Sequence, residues 1–594
     1  MKTKEFEILR YLCEHRGSMT QRLLAEETGC SLGTVNRILG ELQKEGAVDG
    51  NNQITGQGLS LMEPYRVKNA IVLAAGMSTR FAPFSYEKPK GLTVVKGEVL
   101  IERQIRQLQE AGVQEIVLVL GHMMEKFLYL IDKFGVKVVV NNEYRNKNTH
   151  SSVYFARDYL DNTYICCADN YFPKSVFHRY EPHALYSVLY MEGTWRGERG
   201  VVTDKNGLIV STQRPACDQW VMNGYAYFDR DFSRKFKRIL EEMWQTPGSD
   251  GLYWEQVYAE HVDELALYAV KYRDTEVMEF DSVAELEAFD PEFIKYNDSV
   301  LTHNICAALN CSISDIHSIQ PILTGYTNQS FRFQCCGTTY VYRTPGKVSA
   351  DWIDRKCEKR ALEAAKKLGL NDSYIYQDDA TGWMISSFVP ETERFSFANE
   401  THVAMLCSLL RKLYQSGATC GRLRDYLYEA KLFLEKIRAL DEETYHVAVR
   451  ALPEAEAIDR TLKADGWPVQ LVHNDLYEDN LLLSGNKLFL IDWEYAGDTD
   501  IGYDLCKLFV KNRASGGEID RWLSFYYQRD PTTEEKRHIV GCAAVSFYYW
   551  YVWAIYMVMR GNKYLDLVMR YRDIFRQYLG EFNRSSGKKP DSVQ

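Results

Sequence analysis

The chain has 594 residues, of which 46% are apolar and 26% charged, with a formal net charge of -10. That length exceeds one hydrophobic core, and that charge excludes a protein that coats nucleic acid. Its cysteines are scattered, with no CxxC pairs at zinc spacing, so a reduced, cytoplasmic chain is expected instead of a disulfide or zinc scaffold. The N-terminus, MKTKEFEILRYLCEHRG, carries acidic residues where a signal peptide has its apolar run.

In chain order, residues 1–66 come first. Phe6, Leu9 and Leu12 form a helical stripe closed at Gly17. Thr20 caps a second helix and Ser31 a third, and NNQITGQGLSLM reads as a short hairpin. This block resembles the winged helix-turn-helix of bacterial repressors. It holds eight basic and nine acidic residues, without the basic footprint of a DNA binder. Arg22 and Arg37 are its candidates for touching a duplex, while a homodimer contact or a structural role is equally open.

Residues 67–292 alternate strands and helices. NAIVLAAG, EIVLVLG, VKVVVNN and TYICCADN are short apolar runs ending in Gly, Asn or Asp, and LIERQIRQLQEAG has helical spacing. The alternation predicts a parallel, doubly wound, Rossmann-like sheet with ligands at the carboxyl ends of its strands. The strand over 70–73 runs into Ala74, Ala75 and Gly76, whose small side chains let backbone amides approach a triphosphate. Arg80 and Lys90 supply the positive charge that displacement at an α-phosphorus needs. Asp169, ending the fourth run, can ligate Mg²⁺.

Leu73-Ala74-Ala75-Gly76, Arg80 and Lys90 together resemble the signature of nucleotidyltransferases, and of bacterial CTP:phosphocholine cytidylyltransferases in particular. That resemblance implies CTP as a substrate and Asp281 as a second metal carboxylate, with Tyr171, Tyr253, Trp254 and Glu255 near the choline end.

Residues 293–594 open with strand-like segments and become largely helical, the pattern of a bilobal, protein-kinase-like α+β domain. In HNDLYEDN, Asp475 precedes Asn480 by five residues, the spacing of a base and a Mg²⁺ ligand in kinase-like catalytic loops. Asp492 follows another apolar strand, where a second metal carboxylate belongs. HNDLYEDN and LIDWE resemble choline kinases and aminoglycoside phosphotransferases, which use ATP. The resemblance implies that LTGYTNQSFRF covers the nucleotide, that Arg343 binds its phosphates, and that Glu358 is the arginine's helix partner.

The uncharged run 542–559 is crowded with Tyr and Trp through its middle, so a buried helix is expected and not a membrane span. Trp550 and Trp553 share one helix face and are similar to the paired tryptophans that wall the choline pocket of choline kinases. Trp493 and Tyr495 are the candidates to complete an aromatic box. The expectation is therefore a bifunctional enzyme making phosphocholine from choline and ATP, then CDP-choline with CTP. Two rivals are a sugar-1-phosphate nucleotidyltransferase fused to an ethanolamine or aminosugar kinase, and a metabolite-sensing transcriptional regulator. The retained Lys90, Asp169, Asp475, Asn480 and Asp492 favour an enzyme.

Overall fold

A computed structural model of the chain describes every residue except 16, 18, 196, 298, 323–327, 347–351, 562–563 and 586–594. The first five residues of the expected nucleotide-covering segment, 323–327, and the polar tail beyond Ser585 therefore lie outside the described residues. The chain forms two compact units, Met1–Pro321 and Ile322–Gln594.

Helices Thr3–Glu14, Gln21–Thr28 and Leu32–Lys44 open the first unit and bury Phe6, Leu9, Leu24, Val35 and Leu39 among themselves. Thr20 and Ser31 cap the second and third, accepting from the amides of Leu23 and Thr34. The expected hairpin shrinks to a single bridge between Val48 and Ile54, and 56–62 is helical instead. Gly58 explains the change: a Cβ there would stand 2.2 Å from the Ala47 carbonyl oxygen, so only glycine lets this helix seat directly on the preceding turn. Tyr180 from the next block completes the same core, and the Glu14 carboxylate accepts from the Arg179 amide at 3.2 Å.

Strands Thr163–Cys167, Asn69–Ala74, Glu115–Leu120 and Lys137–Val140 lie side by side in that order, all parallel. The parallel reading holds for this half only. Thr163–Cys167 also pairs antiparallel with Ala216–Phe228, itself antiparallel to Leu185–Trp195, so the sheet is mixed. Helix Leu100–Glu110 covers one face through Ile101, Ile105 and Leu108, and Arg230–Trp244 covers the other through Phe232 and Phe236. Residues 293–321, expected in the third block, pack in this unit. Glu87 accepts from the amides of Val300 and Leu301, Asn297 bonds Val94 both ways, and Phe293 meets Phe84 edge-on.

In the second unit Asn328–Cys335, Thr338–Pro345, Met384–Ser387 and Tyr374–Gln377 are antiparallel neighbours in that order, with helix Arg355–Lys367 beside them. Among the described residues six longer helices follow, from Glu400–Gln415 to Leu565–Ser585. Helix Thr533–Met559 starts at a capping box of Thr532 and Glu535, and its apolar window is wholly buried, as expected of a core helix.

Candidate active sites

Parallel pairing aligns the ends of Asn69–Ala74 and Thr163–Cys167, which brings the loops that follow them together. Leu73, Ala74 and Ala75 are buried, while Gly76 and Arg80 are exposed at the loop. A Cβ on Gly91 would fall 2.8 Å from that of Ala168, and its absence lets the buried Lys90 settle against the second loop. Lys90 Nζ lies 2.8 Å from Asp169 Oδ2. Burial works against the ammonium, yet Asp169, Glu279 and Asp281 outweigh it and hold Lys90 above its ordinary value.

Arg80 Nη1 is 2.9 Å from Asp281 Oδ2 at a solvent-facing edge. Ser282, not Asp281, caps helix Val283–Phe289, which leaves the Asp281 carboxylate to the cleft. Sequence reading missed Glu279, which sits opposite Asn170 in the short pairing beside Asp169. Its carboxyl is pushed up by dehydration of the cleft and then by Asp169, although its side chain still meets solvent. The alternation Glu279-Phe280-Asp281, with Phe280 buried between two acids, was the available signal.

At the expected choline end Tyr253 is exposed, while the other two rings are already engaged. Tyr171 packs on Phe289, with the Arg103 guanidinium 5.0 Å from its ring centre. Trp254 is buried, stacked on Tyr186 with its edge toward Phe228. Glu255 differs: Oε1 accepts from the Tyr186 hydroxyl at 3.1 Å, while Oε2 is buried without a hydrogen-bond partner among the described residues. Burial pushes this carboxyl up to about 7.

In the second unit the loop 473–480 joins strands Val469–Val472 and Leu481–Ser484. Asp504, which sequence reading missed, holds it by accepting from the amides of His473 (2.9 Å) and Asn474 (2.8 Å) and the Tyr414 hydroxyl. Asn474 is left-handed (φ 69°), a conformation asparagine tolerates, and it turns Asp475 outward into the cleft. Asn480 Nδ2 donates to the Asp475 carboxylate at 2.9 Å. Dehydration pushes the Asp475 carboxyl up to about 6, with Lys507 opposing.

Arg343 donates to both Asp492 and Glu358. Glu358 also accepts from Arg355 (2.8 Å) and Gln377 (2.7 Å). Glu494, another residue missed in sequence, is buried beside this network and accepts from Asn328 at 3.1 Å. The structure thus brings Asp475, Asn480, Arg343, Glu358 and Asp492 to one cleft.

Of the expected aromatic box, Trp493 does not belong. It is fully buried under the loop 473–480, donating its indole N–H to the Leu490 carbonyl at 2.8 Å with His473 against its ring. Tyr495, Trp550 and Trp553 do form a chain of rings, with centres 5.3 and 5.5 Å apart.

Family models match in three places: a winged helix-turn-helix DNA-binding domain over residues 1–49, a MobA-like NTP transferase domain over 70–199, and the phosphotransferase enzyme family over 318–536. A 2-aminoethylphosphonate cytidylyltransferase of Lancefieldella rimae is 35% identical over 232 residues, which cover 38% of this chain and 93% of that protein. A choline-phosphate cytidylyltransferase of Streptococcus pneumoniae is 30% identical over 219 residues, covering 36% and 94%. Among solved structures, choline kinase LicA from Streptococcus pneumoniae is 22% identical, covers 47% of this chain and 98% of that one, and has a TM-score of 0.41. The chain therefore belongs to the cytidylyltransferase family of the first two relatives, and it joins that domain to a phosphotransferase-family domain and a winged helix-turn-helix.

Proposed function

We propose that the chain performs two transfers in sequence: a phosphoryl group from ATP to a small alcohol, then CMP from CTP to the phosphorylated product with release of pyrophosphate. The observation that carries this reading is that each unit holds its own acid–cation cluster, Lys90 with Asp169 in one and Arg343 with Asp492 beside Asp475 in the other. In the first transfer Asp475 accepts the hydroxyl proton as the alcohol oxygen attacks the γ-phosphorus and ADP leaves, while Arg343 steadies the phosphates. In the second a phosphate oxygen attacks the α-phosphorus of CTP, and Lys90 and Arg80 stabilise the charge that develops.

Both clusters offer oxygen donors of the hard kind that Mg²⁺ prefers. Asp169 and Asp281 would hold it in one site, and Asp492 with the Asn480 amide oxygen in the other. When bound, it neutralises phosphate charge. A cytoplasmic location accords with the supply of both nucleotides.

On the aromatic rings alone, choline is the acceptor for the first site and phosphocholine for the second. The rings of Trp550, Trp553 and Tyr495 support it, since aromatic faces attract quaternary ammonium. So do the names of the choline-phosphate cytidylyltransferase and choline kinase relatives. A second reading for the cytidylyl site is an amine-bearing phosphate or phosphonate, as in the 2-aminoethylphosphonate relative. Glu255 favours it: its partnerless Oε2 can accept from a primary ammonium, whereas trimethylammonium has no N–H to give. For the winged helix we propose a structural role over DNA contact, because Arg37 is paired with Glu41 at 2.8 Å. The substrate test is mass spectrometry of products after incubating the protein with ATP, CTP and Mg²⁺. Choline, ethanolamine and 2-aminoethylphosphonate are offered separately, and failure to form any CDP- or CMP-linked product would reject the reading.

A further inference from the structure

Immediately after Asp504, which holds the catalytic loop, helix Lys507–Val510 begins. Lys507 is fully buried, and its Nζ has no hydrogen-bond partner among the described residues. The ammonium lies 4.4 Å from the ring centre of Phe547 and 5.7 Å from that of Tyr477, two residues beyond Asp475. Asp475 and Asp504 act on it electrostatically, but neither hydrogen-bonds it. Lys511, one turn further, places its Nζ 3.7 Å from the Tyr477 ring centre and 2.9 Å from Glu478.

Two more buried donors stand nearby without acceptors among the described residues: the indole Nε1 atoms of Trp550 and Trp553. They belong to the same neighbourhood. Phe547 and Trp550 share a helix face, Tyr571 contacts both, and the Tyr571 hydroxyl is 3.4 Å from that of Tyr477. Tyr495 joins Trp550 to the segment that carries Asp492.

The acceptor side of Asp475 is thus rich in donors and short of acceptors. Burying an ammonium without a hydrogen-bond acceptor is costly, as is burying an indole N–H without one. Trimethylammonium relieves neither. It carries no acceptor atom, and it would add positive charge beside Lys507 and Lys511. A carboxylate or phosphonate offers the acceptor oxygens that these donors lack.

We propose that Lys507, backed by Lys511 and by the indole N–H groups of Trp550 and Trp553, forms an anion subsite beside Asp475, so that the alcohol phosphorylated there carries an acidic group. This rests on the phosphotransferase reading and departs from choline as its acceptor.

The test measures ADP release, with mass spectrometry of products, from the full chain supplied with ATP and Mg²⁺. Choline, ethanolamine, serine, glycerate and 2-hydroxyethylphosphonate are each offered as acceptor. At least one acid-bearing alcohol should exceed choline in kcat/KM by about tenfold or more, the scale of one charge-assisted hydrogen bond. Lys507→Met should raise the KM of that alcohol by about tenfold while the KM for ATP stays put, with Lys507→Arg partly restoring it. Thermal melting checks the fold, and replacing an unpaired buried ammonium by methionine should not lower Tm. Independently of any variant, acid-bearing alcohols should raise the wild-type Tm more than choline does. Choline as the best acceptor overturns the subsite, and so does an equal loss with every alcohol in Lys507→Met, the signature of a lysine that serves only the transferred phosphoryl group. No turnover of any alcohol, with cytidylyl transfer intact, overturns the phosphotransferase reading itself and the subsite with it.

Discussion

Lys90 Nζ and Asp169 Oδ2 lie 2.8 Å apart, one from the loop after the first strand and the other from the loop after its parallel neighbour. The pair depends on both strands, and its lysine is buried. Lys90→Ala should lower cytidylyl transfer by about 10²–10³, the cost of losing one transition-state charge contact. Asp169→Asn should do likewise. Pyrophosphate release from CTP is the readout, with ADP release from ATP unchanged in both variants.

Arg343 uses its fork to reach Asp492 and Glu358 together. Lysine cannot span both, so Arg343→Lys should cut ATP turnover about tenfold or more while the chain stays folded. Glu358→Ala goes further, because it removes the buried carboxylate that Arg343 and Arg355 share and leaves them only Asp492 and Glu494. It should destabilise the second unit by about 3–5 kcal/mol in denaturant titration.

Glu255 gives a pH signature. Burial pushes its carboxyl up to about 7, so the neutral acid is the favoured form below that pH and the carboxylate above it. If Glu255 receives an ammonium, KM for the phosphorylated amine should fall as pH rises through about 7 and level off beyond. In Glu255→Gln the KM should be higher and flat across that window.

The two kinds of tryptophan separate cleanly. Trp493 is core, and Trp493→Ala should cost about 3–5 kcal/mol of stability. Trp550→Phe keeps most of the packing and removes an indole N–H that bonds nothing within the described residues, so Tm should hold while the acceptor KM changes.

Much of the site was legible because the residues that form it sit at fixed offsets on one strand–loop unit. Asp475 and Asn480 are five apart, and Asp492 stands two residues past the end of the strand 487–490. Lys90, Asp169 and Asp281 were harder, since only the sheet order brings them together. Glu279, Asp504 and Lys507 were not found, because an acid or lysine in a short segment looks like a solvated surface charge until the fold buries it or crowds it. Trp493 misled for the converse reason: adjacency to Asp492 does not say which way a ring turns, and a left-handed residue at 492 (φ 62°) precedes its burial under the loop. The parallel half of the sheet was read from four apolar runs, whereas the long strand Ala216–Phe228 mixes polar and apolar residues and declares its pairing only through long-range contacts.

The most direct measurement of the central claim uses two variants of the intact chain, Asp475→Ala and Asp169→Asn, each assayed for both half-reactions by mass spectrometry. The acceptor is whichever alcohol the wild type phosphorylates. Asp475→Ala should lose ATP-dependent phosphorylation of that alcohol and still convert the supplied phosphorylated compound to its cytidylyl product. Asp169→Asn should accumulate the phosphorylated compound and form no cytidylyl product. Equal loss of both half-reactions in either folded variant, or retention of cytidylyl transfer in Asp169→Asn, would contradict two separate sites acting in sequence.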